Sequence, residues 1–86
     1  RTVIDVFAHD RPGLLYTIAR TIFELNLSVD LAKIATHYDQ VVDVFYVVDE
    51  DGNKITDEHR LKHIESTLLD RLRDFKQHGH AMFRKP

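Results

Sequence analysis

The sequence predicts an α+β sandwich: an antiparallel sheet with two helices on one face. Three observations carry that expectation. The hydrophobic period changes along the chain from two, to three or four, back to two twice, then to three or four again. Each helical segment has a single apolar stripe, so each needs cover on one side only. With 86 residues and no cysteine, the chain is one small domain without a disulfide or a thiolate metal site.

Residues 2–9, TVIDVFAH, are rich in β-branched and aromatic residues and read as the first strand. Ile4, Val6 and Ala8 share one face; Val3, Asp5, Phe7 and His9 share the other. Residues 12–25 read as a helix, with Pro12 at the first helical position, where its missing N–H is not needed. Leu14, Leu15, Ile18, Ile22 and Leu25 make its apolar stripe, with Ala19 beside it. Thr17, Arg20, Thr21 and Glu24 fall towards the wetter side, and Asn26 stops the helix. Residues 27–38 and 41–48 read as a hairpin joined through Asp39 and Gln40. The segment DEDGN, residues 49–53, is a turn. A second amphipathic helix follows over residues 57–76, with Leu61, Ile64, Leu68, Leu72 and Phe75 at helical spacing and Leu69 adjacent. Thr56 or Asp57 is placed to cap it, and Gly79 to end it. Residues 77–86 read as a weak last strand or the start of a linker. The order βαββα, with a possible closing strand, is the ferredoxin-like βαββαβ arrangement.

Composition excludes several functions. The net charge of −2 gives no basic footprint for nucleic acid. No apolar run approaches the roughly 20 residues that cross a bilayer. The missing initiator methionine points to a piece of a longer chain, and the lack of cysteine and of a signal peptide favours the cytoplasm.

The chemistry-bearing motifs were weighed in turn. The stretch DRPGLL, residues 10–15, places Pro12 and Gly13 at a strand-to-helix turn. A helix N-terminus presents unpaired N–H groups and partial positive charge, which suits a carboxylate or phosphate. Gly13 has no Cβ, which permits close approach of a ligand. On these residues alone, an anion pocket and an empty tight turn both stay open. Phe7 and Phe45 would share the open sheet face if Val42, Val44, Tyr46 and Val48 faced the helices. That pattern resembles a base-stacking platform, but Asp5 and Asp43 would share the face and repel phosphates. A covering domain or protomer is the preferred explanation. DEDGN fails as a calcium loop, because Lys54 stands where the glycine is needed and Arg60 where the glutamate is needed. His59 and His63 are four apart but face solvent, and a structural zinc site needs more ligands. No cofactor is expected. His9, Ser28 and Ser66 lack the neighbours that a catalytic base or nucleophile requires, so no catalysis is assigned to these residues.

DRPGLL at 10–15, LNL at 25–27, IAT at 34–36 and VVDVFYVVDEDGNKI at 41–55 together resemble an ACT domain. The similarity covers residues 2–74, and the chain more closely resembles the C-terminal ACT domains of bifunctional uridylyltransferase/uridylyl-removing enzymes. The resemblance implies a βαββαβ fold, edge-to-edge pairing with another ACT domain, and a small effector at the first strand-to-helix turn. It implies Asp10, Arg11, Pro12, Gly13, Leu14, Leu15 and Asn26 as effector-binding residues and glutamine as the effector. On this reading, N–H groups of residues 13–15 hold the effector's carboxylate and Asp10 its ammonium. On the same reading, Asn26 reads the side chain or the backbone from the neighbouring protomer. The PII nitrogen-regulatory protein becomes a partner through the parent nucleotidyltransferase. The rival readings are an ACT domain of another amino-acid-regulated enzyme, a ligand-free pairing module and, distantly, an RNA-binding domain.

Overall fold

Period-two alternation in residues 2–9 builds β1 (Thr2–His9), a strand at the centre of the sheet. In the computed structural model, which describes residues 1–9, 12–74 and 80–83, it is followed by α1 (Leu14–Glu24) and β2 (Ser28–His37). Then come β3 (Gln40–Val48), α2 (Glu58–Asp74) and β4 (His80–Phe83). The four strands lie in the order β2-β3-β1-β4, every neighbouring pair antiparallel. The expected ferredoxin-like α+β class holds. The weak tail supplies a strand, with Phe83 opposite Ile4 and His80 opposite Phe7. Phe75 and Gly79 lie outside the described residues.

The core lies between the sheet and both helices. Ile4, Val6 and Ala8 of β1 meet Leu14, Ile18 and Ile22 of α1 and Ile64, Leu68 and Leu72 of α2. Burying each large apolar side chain contributes about 1.5–3 kcal/mol. Ile55, in the loop before α2, completes this cluster. Its N–H donates to Thr2 Oγ1 at 2.9 Å, which ties the loop to β1 and satisfies a buried hydroxyl.

The inward face of β3 is the reverse of the expected one. Val41, Asp43, Phe45 and Val47 are buried, and Val42, Val44, Tyr46 and Val48 lie on the open face. The register agrees: Phe45 pairs with Ile4, Asp43 with Val6, and Val41 with Ala8. The run VVDVFYVV is apolar in both phases, so hydropathy alone does not choose between them. Burying Phe45 decides the phase and carries Asp43 inward with it. Phe7 and Phe45 are therefore on opposite faces, as are Asp5 and Asp43, and the base-stacking platform does not exist. On the open face Tyr46 instead lies between two cations, 5.3 Å from Arg1 and 5.6 Å from Lys33.

Helix α1 shows two similar reversals. Thr21 is fully buried because it lies seven residues after Leu14, on the same stripe. Its hydroxyl donates to the Thr17 carbonyl at 2.7 Å, so the interior position leaves no donor stranded. Leu15, by contrast, is 46% exposed, one residue round from the stripe. The helix begins at Leu14, so Pro12 precedes the cap rather than occupying the first helical position.

The far end of α1 closes as a Schellman motif. Leu27 N–H donates to Ile22 C=O at 3.2 Å, and Asn26 N–H to Phe23 C=O at 3.0 Å. Asn26 has φ 61°, the left-handed conformation that such a stop requires. Leu27 and Ile22 are both buried beneath it.

The hairpin turns on Tyr38 and Asp39, with Gln40 already paired to His37. DEDGN is held by Asp49 Oδ1, which accepts from Asp51 N–H at 2.9 Å and Asn53 N–H at 2.8 Å. Of the two candidate caps, Asp57 starts α2: its carboxylate accepts from His59 N–H at 3.0 Å.

Two mutational outcomes follow from this geometry. In urea denaturation, Phe45→Ala should cost about 3–5 kcal/mol by opening a core cavity. Val42→Ala, on the open face, should cost less than about 1 kcal/mol; equal costs would contradict the phase of β3. Asn26→Gly should leave stability unchanged or slightly raised, whereas Asn26→Val should lose about 1–2 kcal/mol because its φ is positive.

Candidate functional site

Helices α1 and α2 cover the middle of the sheet and leave β2 overhanging. All ten residues of β2 are exposed, although Val29, Leu31 and Ile34 are apolar. Between that overhang and the start of α1 lies a cavity of about 270 Å³. Gly13, Leu14, Leu15 and Tyr16 line it from the helix, Ile34 and Thr36 from β2, and Val41 and Asp43 from β3.

The turn into α1 is why the helix end is bare. Gly13 caps the helix with φ 82° and ψ −2°, a left-handed conformation open to glycine at little cost. Glycine brings no side chain to the first N–H groups, and the first turn carries no acidic residue. The first helical bond runs from Thr17 N–H to Gly13 C=O at 3.0 Å. The N–H groups of Leu14, Leu15 and Tyr16 therefore have no partner in the helix ladder, and their residues line the cavity. A helix N-terminus carries about half a positive charge. Facing it across the cavity are the carboxyl of Asp43, which is 2% exposed, and the hydroxyl of Thr36. Val41, Ile34 and Leu15 supply apolar wall. Ligand sites are commonly about 300–1,000 Å³ for drug-sized molecules, so this one suits something smaller, with a carboxylate, a donor group and a short side chain.

Gly13, Leu14 and Leu15 line the cavity, and Pro12 sits just ahead of it. Asp10 and Arg11 lie outside the described residues. Asn26 is at the other end of α1, about 20 Å from Gly13 at 1.5 Å per residue. Within one chain the two are not brought together. Tyr16, Ile34, Thr36, Val41 and Asp43 were not anticipated. A usable signal existed for Asp43, which is the lone charge inside an apolar strand.

Asn26 borders a second, shallower hollow of about 520 Å³, with Glu24, Leu25, Glu50, Arg60 and His63. Its charges are engaged with one another. Arg60 grips Glu50 through two bonds of 2.8 and 3.0 Å. Glu24 accepts from Arg71 at 2.8 Å and from Arg20 at 2.9 Å. Hydrogen bonds from Arg71 and then Arg20 hold the Glu24 carboxyl below the usual carboxylate range, and Arg60 does the same for Glu50. These exposed pairs fasten α1 and the DEDGN turn to α2. The carboxylates of Asp49, Glu50 and Asp51 lie within 4.8 Å of one another, but Asp49 and Glu50 already serve the turn and Arg60. His59 and His63 are both exposed.

Among the described residues, no helix is long and apolar enough to cross a membrane.

Residues 1–73 match the family model described as the ACR family N-terminal ACT domain. A segment of 73 residues is 47% identical to part of a bifunctional uridylyltransferase/uridylyl-removing enzyme of Azospirillum brasilense. That match covers 85% of this chain but only 8% of the relative's length. Among solved structures, the chain resembles an ACT domain protein from Streptococcus pneumoniae with a TM-score of 0.72 and 13% identity, covering 95% of this chain and 86% of that one. It also resembles a formyltetrahydrofolate deformylase from Pseudomonas putida KT2440, with a TM-score of 0.76 and 13% identity, over 99% of this chain and 28% of that one. At such identities these two structures speak to the fold alone.

Replacing Gly13 tests the bare cap. Gly13→Ala should lower stability by about 1–2 kcal/mol in urea denaturation, because an L side chain disfavours this φ. No loss would mean that the turn does not need glycine.

Proposed function

The chain belongs to the ACR family of ACT domains, as a match to its N-terminal ACT domain, and we propose that it is the glutamine-sensing regulatory module of a PII uridylyltransferase/uridylyl-removing enzyme. The observation that carries this reading is the cavity at the start of α1. It combines the helix-start N–H groups that the α1 ladder leaves out, a carboxyl and an apolar wall in a space sized for an amino acid. The N–H groups of Leu14 to Tyr16 hold the effector's carboxylate, and the side chain runs along Ile34 and Thr36. The activity of the Azospirillum brasilense relative supports the parent enzyme, and the segment itself carries no catalytic role. The parent acts in the cytoplasm, with this module in its C-terminal regulatory region, ahead of another ACT domain.

The mechanism is linkage. β2 is an edge strand whose ten residues are all exposed, so its backbone is open to pairing with a second ACT domain. Such pairing would wall the open side of the cavity, because Ile34 and Thr36 lie on that edge. A ligand biases a distant active site only through different affinities for two arrangements. Glutamine binding one arrangement of paired domains more tightly supplies that bias, typically about 1–3 kcal/mol. High glutamine then favours uridylyl removal from PII, and low glutamine favours transfer.

Calorimetric titration of L-glutamine into the chain tests the site. The wild type should bind, and Thr36→Trp, which fills the cavity from an exposed strand without disturbing the core, should abolish binding. Equal binding by both would remove this cavity from the mechanism, and a wild type that binds no amino acid would leave a pairing module only.

A further inference from the structure

We propose that Asp43 reads the ammonium group of the bound amino acid, so that the cavity selects a zwitterion over a plain carboxylic acid. The inference rests on the amino-acid-binding reading above and deepens it. A helix N-terminus holds a carboxylate of any origin. It does not by itself distinguish an amino acid from its deaminated counterpart. That discrimination needs an anionic group on the opposite side, within reach of the same ligand α-carbon.

Among the described residues lining the cavity, Asp43 is the acidic one, and it enters from β3 between Val6 of β1 and Ile34 of β2. Its depth makes it selective. It is 2% exposed, and an interaction with a charge strengthens as water is excluded. A carboxylate offers about four lone-pair positions, so it takes a ligand donor alongside contacts within the protein. Its charge also sets the ligand's overall polarity. A second carboxylate on the ligand, brought near Asp43 by a side chain that runs along Ile34 and Thr36, is repelled by it. A neutral amide side chain is not. Asp43 thus gives a physical basis for preferring glutamine to glutamate.

The test compares L-glutamine with its des-amino analogue, 4-carbamoylbutanoate, by calorimetry on the full chain. The wild type should bind glutamine about ten- to a hundredfold more tightly, the range for a hydrogen bond to a charged group. In Asp43→Asn that ratio should collapse towards one, with the analogue's affinity retained. Thermal melting and circular dichroism check that the variant folds, and Asp43→Ser replaces it if it does not. A wild type that binds both compounds equally overturns the inference whatever the variants do, and so does a variant that keeps the wild-type ratio. Both results leave amino-acid binding standing. A wild type that binds neither compound overturns the binding reading and this inference together.

Discussion

Period-two alternation in β3 links the core to the candidate site. Phe45 is the largest fully buried side chain among the described residues, and packing it against the helices completes the core. Since side chains alternate strictly along a strand, that choice also turns Val41, Asp43 and Val47 inward. A one-residue slip would place Asp43 in water and Phe45 on the open face. The carboxyl that faces the start of α1 is therefore a consequence of where the core places a phenylalanine two residues away.

The second constraint is the unequal cover of the sheet. Two helices suffice for β1 and β3 but leave β2 overhanging, with apolar residues exposed on a strand of ten. An isolated protein with such an edge invites pairing. The overhang also forms one wall of the cavity. The same overhang thus exposes apolar side chains and lines one side of the cavity along the sheet edge. The left-handed Gly13 contributes from the other side, because it starts α1 without a side-chain cap and lines that space with Leu14, Leu15 and Tyr16.

The sequence was most legible where one physical signal was strong. The two helices were visible because apolar residues recur at 3.6-residue spacing, and the turns at 49–53 because Asp49 and Gly52 suit them. Gly13 was legible as special, and the reason visible in the structure is its positive φ. The phase of β3 was not legible, because valines occupy both faces and the only marker, Asp43, suggested the wrong one. Thr21 misled in the same way: a hydroxyl that bonds its own helix carbonyl can be buried, which polarity alone does not reveal. Asn26 has a task that the resemblance did not imply: its φ of 61° and its Schellman bonds stop α1 at the end away from Gly13. Ile34 and Thr36 were hidden because they join the cavity only through tertiary packing.

The central claim is that the space between the start of α1 and β3 receives an amino acid. Amide and carboxyl chemical shifts, followed by nuclear magnetic resonance during titration with L-glutamine, test it most directly. The account predicts the largest changes at the amides of Gly13 to Tyr16 and at the Asp43 carboxyl, with Asn26 and Arg60 nearly unmoved. Changes centred on Asn26, Arg60 and His63 would contradict it and move the site to the opposite end of the helix.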